Sequence, residues 1–342
     1  MSVPSEHVLV IAEAGVNHNG DVLIAKKLID AAAAAGADVV KFQTFRAEQV
    51  ISAAAPQAEY QQRNTGSGEN QLEMVRKLEL SANDHTVLME HARHTGIRFL
   101  STPFDLDSIT LLKGLGITLG KVPSGEVTNL PYLQAMAKAF PELIMSTGMC
   151  TLEEVGAALS LLERVGAKKD RITLLHCNTE YPTPMQDVHL RAMHTLAQTF
   201  GLRVGYSDHT LGIEVPIAAV ALGAVVIEKH ITLDRGLPGP DHRASLEPTE
   251  LTAMVRAIRN IERALGSPAK EPSPSELPNR TIARKSIHLK HALTAGCSIT
   301  AEDLIMLRPG DGISPMQLDK VIGRAIRSDL PSGHKLSPAD LS

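Results

Sequence analysis

The feature that most constrains the fold of this chain is a repeat of short apolar runs, rich in β-branched residues, that alternate with helix-like stretches. Eight such runs occur, at Val8–Ala12, Val39–Phe42, Ile97–Leu100, Leu119–Val122, Leu143–Met145, Ile172–Leu175, Arg203–Tyr206 and Val225–Ile227. Helix-like stretches between them include Val22–Ala35, Leu152–Val165 and Met185–Phe200. Alternating strands and helices indicate an α/β fold with a parallel sheet. Eight such units within about 250 residues predict a closed (β/α)8 TIM barrel. An open doubly wound sheet is the alternative, but no GxGxxG motif follows the first run.

Proline and turn signals divide the chain into three parts. The barrel pattern ends near Leu265, so residues 1–265 are assigned to the barrel. Residues 266–282 are predicted to form a semi-rigid, extended linker, because they contain Pro268, Pro272, Pro274 and Pro278. Residues 283–342 carry short apolar pieces and turn signals, which predict a second, small domain. A core of fewer than about 70 residues is marginal by itself, so we expect this domain to dock against another surface.

Composition excludes several classes of function. The net charge of -4 provides no basic excess for nucleic acid. The cysteines Cys150, Cys177 and Cys297 lie far apart and form no CxxC pair, which suits a reducing cytoplasm. The polar segment Met1–His7 lacks a signal-peptide pattern. The longest apolar run, Val215–Ile227, is shorter than the roughly 20 residues of a membrane span. We therefore expect a cytoplasmic protein in which this run forms a buried helix that leads into a strand.

Polar residues follow the predicted strands, where a TIM barrel places its chemistry. His209 and His230 follow the neighbouring seventh and eighth strands. Two imidazoles at this point can share one divalent metal and leave positions open for substrate and water. Imidazole with oxygen ligands suits Mn, Zn or Co. The alternative is that each histidine is an ordinary core or surface residue.

Two lysines at the same end of the barrel are candidates for an anion clamp. Lys41 and Lys121 end the second and fourth strands, and Gln43 shares the strand face of Lys41. Hydroxyls that could donate to phosphate or carboxylate oxygens stand at Thr102, Ser124 and Ser146. The alternative readings are lysines that extend to solvent and hydroxyls that cap turns. Glu13, after the first strand, either joins this chemistry or pairs with a nearby cation.

The motifs together resemble the N-acetylneuraminate (sialic acid) synthase family. They are IAEAGVNHNGD (Ile11–Asp21), VVKFQTF (Val39–Phe45), STPFD (Ser101–Asp105), KVPSGE (Lys121–Glu126), STGM (Ser146–Met149), LLHCNTEYPTP (Leu174–Pro184), GYSDHT (Gly205–Thr210), EKHITLD (Glu228–Asp234) and PGPDH (Pro238–His242). The segment LRPGDGISP (Leu307–Pro315) resembles the antifreeze-like (SAF) domain of that family. The resemblance therefore implies a TIM barrel followed by a SAF domain.

The resemblance also implies a reaction, in which phosphoenolpyruvate condenses with an open-chain, mannosamine-type N-acyl amino sugar and phosphate leaves. Phosphoenolpyruvate is expected to contact Lys41, Thr102, Lys121, Ser124 and Ser146. The metal, expected to be Mn²⁺ with Mg²⁺ or Co²⁺ as alternatives, is expected on His209 and His230. Proton transfer and sugar hydroxyls are expected at Glu13 and Glu126. The sugar is expected to contact Tyr181, Asp241 and Arg308 and either Asn178 or Thr179.

The main expectation is that the sugar is N-acetylmannosamine, so that the products are N-acetylneuraminate and phosphate. The alternatives within the family are a 2,4-diacetamido-6-deoxy hexose, which leads to legionaminic or pseudaminic acid, and a sugar that carries a 6-phosphate. The antifreeze-like segment by itself would fit a non-catalytic polysaccharide- or ice-binding protein. The charged barrel mouth, with Glu13, Lys41, Lys121, His209 and His230, argues for the enzyme, because burying unused charges is unfavourable.

The small domain is expected to act across a dimer. Fifteen residues of extended linker span roughly 45 Å at about 3 Å per residue, which is enough to reach a neighbouring subunit. In the resembling family the small domain of one chain lies over the barrel mouth of its partner. The resemblance therefore predicts a domain-swapped homodimer in which Arg308 of one chain completes the site of the other.

Overall fold

The computed structural model describes residues 7–59, 61–62 and 70–342. The chain divides into two compact units, Met1–Gly266 and Ser267–Ser342. Most of the segment Met1–His7, for which no signal peptide is predicted, lies outside the described residues. Within the part of the chain that the structure describes, no helix has the length and apolar character needed to cross a bilayer.

Among its described residues, the first unit contains one sheet of eight parallel strands. The strands are β1 (Leu9–Gly15), β2 (Val39–Thr44), β3 (Arg98–Pro103), β4 (Leu119–Val122), β5 (Glu142–Ser146), β6 (Ile172–Cys177), β7 (Arg203–Asp208) and β8 (Val226–His230). Their order, β3-β2-β1-β8-β7-β6-β5-β4, places β1 beside β8. The predicted barrel and all eight predicted strands are confirmed. Seven strands extend one to three residues beyond the predicted ends, into the polar residues of the candidate site.

Helices connect the strands and surround the sheet. They are α1 (Val22–Ala34), α2 (Ala47–Val50), α3 (Gln71–Arg76), α4 (Ala82–Thr95), α5 (Leu106–Gly114), α6 (Leu130–Ala139), α7 (Leu152–Val165), α8 (Ala192–Phe200), α9 (Glu214–Ala221) and α10 (Pro248–Leu265). Many begin at a side-chain cap, as α7 does at Thr151. The predicted helix Met185–Phe200 is wrong in its first part. Met185–Asp187 is a single 3-10 turn, and His189 has a φ of 46°, so α8 begins only at Ala192.

Two apolar layers hold the barrel together. The larger layer lies between the strands and the surrounding helices. The smaller layer fills the barrel interior, with one side chain from most strands: Ile11, Val39, Leu100, Leu119, Ile144, Leu175 and Val226. Strand β7 contributes Gly205, where an added Cβ would lie 2.3 Å from the carbonyl oxygen of Val226. This interior layer is full, so the cavity of the barrel can open only above it.

The second unit has a core of its own. Strands β9 (Ser286–Leu289) and β10 (Leu304–Leu307) pair antiparallel. Its buried cluster includes Ile287, Ile299 and Leu336. The predicted linker at residues 266–282 differs from expectation, because α11 (Leu277–Ala283) makes part of it helical. Pro278 lies in the first turn of α11, where a missing backbone N–H is tolerated.

Candidate active site

A polar layer lies directly above the apolar layer of the barrel interior. Side chains on one strand face recur every second residue. The residues two positions after the interior layer therefore also point inward, and they are Glu13, Lys41, Thr102, Lys121, Ser146, Cys177, Ser207 and Glu228. All eight are almost fully buried and line a cavity of about 570 Å³. Strand periodicity thus places both lysines of the predicted clamp in one ring with Glu13, Thr102 and Ser146, whereas Ser124 and Glu126 lie in the 3-10 turn after β4.

Two lysines and two glutamates form a buried charge cluster in this ring. Lys41 Nζ lies 2.7 Å from Glu13 Oε2 and 3.5 Å from Glu228 Oε2. Lys121 Nζ lies 3.4 Å from Glu228 Oε1. Lys41 also donates to Thr102 Oγ1 at 2.8 Å, and Ser207 donates to Glu228 Oε1 at 2.9 Å. The cluster brings two cations together at the floor of the cavity, as an anion clamp requires.

The two carboxylates of the cluster have opposite pKa shifts. Burial raises the pKa of Glu13 to about 7, although the attraction of Lys41 opposes this. Burial also acts to raise the pKa of Glu228, but Lys121 and Lys41 outweigh it and lower the pKa to about 2. Glu228 therefore stays ionised and holds both lysines, whereas Glu13 can gain or lose a proton near neutral pH.

The three predicted hydroxyl groups have different partners. Thr102 accepts from Lys41, and Ser124 accepts from the backbone N–H of Gly148 at 2.9 Å. The buried Ser146 Oγ has no hydrogen-bond partner among the described residues, and its side chain lines the cavity. A buried hydroxyl without a partner is unfavourable, so Ser146 is the hydroxyl best placed to bind a ligand oxygen.

The predicted histidine pair lies together above the charge cluster. The ring centroids of His209 and His230 are 5.4 Å apart, and Tyr181 packs on His209 at 4.1 Å. His209 Nδ1 lies 2.5 Å from the carbonyl oxygen of Asn178. Because a carbonyl can only accept, Nδ1 carries the hydrogen and Nε2 keeps its lone pair. The hydrogen bond to the Asn178 carbonyl fixes both the tautomer and the orientation of the His209 ring.

The residues fit a divalent metal. Burial lowers the pKa of His209 to about 4 and the pKa of His230 well below its usual range, so both rings are neutral and can donate a lone pair. His230 Nδ1 is buried without a hydrogen-bond partner among the described residues, 3.9 Å from Asp241 Oδ2. Across residues 7–59, 61–62 and 70–342, no group of three or more His, Cys, Asp or Glu stands ready to hold a metal. Two imidazoles alone would leave most positions on a bound metal open to substrate and water.

Sequence comparison identifies the two units of this chain. A family profile described as the NeuB family matches residues 28–270, and one described as the SAF domain matches residues 284–342. The N,N'-diacetyllegionaminic acid synthase of Legionella pneumophila is 50% identical over 96% of this chain and 92% of its own length. The N,N'-diacetyllegionaminic acid synthase of Campylobacter jejuni is 52% identical over 92% of this chain and 95% of its own length.

The chain belongs to the NeuB family.

A solved structure agrees with this assignment. The N-acetylneuraminic acid synthetase of Leptospira borgpetersenii, crystallised with citrate, superposes with a TM-score of 0.71 and 35% identity. The match covers 80% of this chain and 90% of that protein. The predicted family, and with it the barrel followed by a SAF domain, is therefore confirmed for this NeuB protein.

The remaining predicted residues of the first unit differ in how they are placed relative to the cavity of this NeuB protein. Thr179 and Tyr181 line the cavity. Asn178 instead turns its side chain into its own loop, where Oδ1 accepts from the N–H of Glu180 at 2.7 Å. Asp241 is buried beside His230, and burial raises its pKa to about 7. Glu126 is half-buried in a 3-10 turn and accepts from Asn129 at 2.6 Å.

Arg308 belongs to the second unit. It follows β10 and is exposed, and its Nε donates to the carbonyl oxygen of Ala283 at 3.0 Å. Gln43, predicted on the same face as Lys41, lines the cavity and donates to Glu13 at 3.4 Å.

The sequence prediction missed the role of Glu228 in this NeuB protein. Glu228 contacts both lysines, and its negative charge lowers the free energy of keeping them buried and ionised. A signal existed, because Glu228 stands two residues after the apolar Val226 and shares its strand face. The same rule applied to β7 points to Ser207, which donates to Glu228.

Proposed function

We propose that this protein joins phosphoenolpyruvate to an open-chain 2,4-diacetamido-6-deoxy hexose and makes a legionaminic-type sugar acid. Two relatives named as N,N'-diacetyllegionaminic acid synthases, at 50% and 52% identity along most of the chain, support this choice of sugar. Apolar side chains in the cavity wall, including Phe104 and Met149, offer contacts for the methyl groups of such a sugar.

The observation that carries the proposal is the buried layer of two lysines and two glutamates directly below two neutral histidines. Phosphoenolpyruvate carries a carboxylate and a phosphate. Lys41 and Lys121 supply charge for these groups, and the free hydroxyl of Ser146 supplies a donor. The histidines above this layer are suited to the aldehyde end of the second substrate. The two reactants are thereby held face to face, which removes much of the entropic barrier of a bimolecular step.

The proposed reaction balances as follows. C3 of phosphoenolpyruvate forms a bond to the aldehyde carbon of the sugar, and the aldehyde oxygen takes up a proton. Water adds at C2, the bond between C2 and the phosphate oxygen breaks, and inorganic phosphate leaves. The product is a 2-keto sugar acid. With its pKa raised to about 7, Glu13 is suited to hold or release one of the protons at the floor of the cavity.

We further propose that His209 and His230 hold a divalent metal. Mn²⁺ is the expected ion, with Mg²⁺ or Co²⁺ as alternatives, and the nearby carboxylate of Asp241 supports a cation at this position. A bound metal polarises a carbonyl oxygen and stabilises the negative charge that develops on it, worth several kcal/mol of barrier. Tyr181, which packs on both imidazoles, keeps them aligned and restricts water.

A second candidate product is N-acetylneuraminate, made from N-acetylmannosamine. The structural match to the Leptospira sialic acid synthetase, at 35% identity, favours it. The two products differ at the sugar end only, so the layer that holds phosphoenolpyruvate serves either.

The test measures phosphate release with Mn²⁺, phosphoenolpyruvate and a panel of three sugars: the 2,4-diacetamido-6-deoxy hexose, N-acetylmannosamine and its 6-phosphate. We expect kcat/KM to be highest with the diacetamido sugar. A higher value with N-acetylmannosamine would favour the second candidate. Release of no phosphate with any sugar would overturn the synthase proposal and favour the non-catalytic binding protein.

A further inference from the structure

A completely buried ion pair lies beside the histidine pair, on the outer face of the barrel strands. Lys229 Nζ lies 2.5 Å from Asp208 Oδ2, and both side chains are 0% exposed. Ser207 and His209, the neighbours of Asp208, line the cavity, as do Glu228 and His230, the neighbours of Lys229. Because side chains alternate along a strand, Asp208 and Lys229 point away from the cavity, between strands and helices. Neither residue therefore touches a substrate.

The position of this pair ties it to both histidines. Asp208 and Lys229 are direct partners in the register of β7 and β8. The next residue in the chain is His209 after Asp208 and His230 after Lys229. The ion pair therefore links β7 and β8 at the position directly before the two histidines.

The pair also holds the backbone beyond His209. Asp208 Oδ1 accepts from the N–H of Thr210 at 3.1 Å, and Oδ2 accepts from Thr210 Oγ1 at 3.1 Å. Lys229 Nζ donates to the carbonyl oxygen of Thr210. Contacts thus bracket His209 on both sides, while its ring is oriented by the Asn178 carbonyl. The backbone of His209 cannot rotate without breaking several of these bonds.

Stability alone gives a weak reason for such a pair. Replacing a buried ion pair by neutral residues of similar volume is often neutral or stabilising, because both charges lose their hydration. Ion pairs and hydrogen bonds, unlike apolar contacts, fix direction as well as distance. The arrangement is therefore suited to keeping the two imidazoles at a fixed distance from each other.

We propose that Asp208 and Lys229 are positioning residues that set the separation and orientation of His209 and His230 and thereby the affinity of the site for its metal. The inference rests on the metal site of the proposed function. Residues that orient metal ligands typically change metal affinity by about 10- to 100-fold when replaced.

The test compares Mn²⁺ binding by three full-length proteins, measured by electron paramagnetic resonance of the free ion. They are the wild type, the neutral double variant Asp208→Asn/Lys229→Met, and the control Asp38→Asn/Arg259→Met. The control removes another ion pair between a carboxylate and a cation, 2.7 Å long and partly exposed, beside the N-terminal end of β2. Urea unfolding confirms that each protein is folded. Steady-state assays give KM for phosphoenolpyruvate.

We expect the double variant to bind Mn²⁺ about 10- to 100-fold more weakly, with KM for phosphoenolpyruvate at saturating Mn²⁺ within twofold of wild type, because Lys41 and Lys121 are intact. The control should keep the wild-type Mn²⁺ affinity. A folded double variant that binds Mn²⁺ as tightly as wild type overturns the inference, and so does an equal loss in the control. If the wild type itself does not bind Mn²⁺, the proposed metal site fails as well.

If the double variant does not fold, Thr210→Val serves instead. This change keeps the ion pair and removes only the hydroxyl that donates to Asp208. We then expect an affinity loss of at least threefold, and an unchanged Mn²⁺ affinity in this variant overturns the inference.

Discussion

Replacing Lys121 by methionine is expected to weaken phosphoenolpyruvate binding by about 10- to 150-fold. Methionine keeps most of the length of the side chain and removes only the ammonium group. Lys41 already has close contacts to Glu13 and Thr102, whereas Lys121 approaches Glu228 at 3.4 Å. Lys121 therefore makes fewer and longer contacts within the cluster than Lys41 does, so its N–H groups are more available to a bound anion.

The magnitude follows from the loss of one charge-assisted contact to an anion, about 1.5–3 kcal/mol. The loss in free energy of unfolding should be smaller than about 3–5 kcal/mol, which is the cost of leaving a buried ion without any partner. In the variant, Glu228 retains its ion pair with Lys41 at 3.5 Å and the hydrogen bond that Ser207 donates to it. We therefore expect a folded variant with a specific defect in anion binding.

The assay has a binding and a kinetic part. Calorimetry measures phosphoenolpyruvate binding directly, since the chain has no tryptophan to report by fluorescence. Phosphate release is then measured with each substrate varied in turn. Lys335→Met, which removes an exposed ion pair with Asp311 in the second unit, is the matched control. If KM for phosphoenolpyruvate stays unchanged and KM for the sugar rises instead, the assignment of the clamp is wrong.

Three further predictions concern metal, pH and assembly. His209→Ala or His230→Ala should abolish turnover without unfolding the protein, and full activity in excess EDTA would refute the metal site. Burial, with His85 nearby, lowers the pKa of His18 to about 4. The contribution of neutral His18 to the free energy of unfolding should therefore be complete above pH 6.5. It should fall by about 3 kcal/mol as the pH drops to 4, since the unfolded chain gains the proton first. The urea midpoints at pH 8 and pH 5 should differ less in His18→Asn than in the wild type. We also propose a domain-swapped homodimer, so mixed Arg308→Ala and Lys121→Ala proteins should recover up to a quarter of wild-type activity, and no recovery despite subunit exchange would exclude a shared site.

The strand positions were predictable because each strand contains an apolar run of its own. Leu119–Val122 coincides with the observed strand, and the other seven differ at their ends. Those ends were underestimated where polar residues continue the strand, as at Glu13 and His230. Polar residues carry weak strand signals, and only pairing with neighbouring strands keeps them extended.

The candidate site was predictable as a set of residues but not as a set of contacts. The positions of Lys41, Lys121 and the two histidines at strand ends followed from the alternation of strands and helices. That Glu228 holds both lysines did not follow, because this depends on how β2, β4 and β8 are placed around the barrel. The choice between Asn178 and Thr179 likewise depended on a hydrogen bond within one loop.

Sequence by itself determined the order of strands and helices, the family and the inward-facing residues, because periodicity and motifs are local properties of the chain. Tertiary structure decided which charges meet, which histidine nitrogen is free and that Asp208 pairs with Lys229. These depend on distances between residues that lie far apart in sequence, and on burial, which makes such contacts strong and their absence unfavourable.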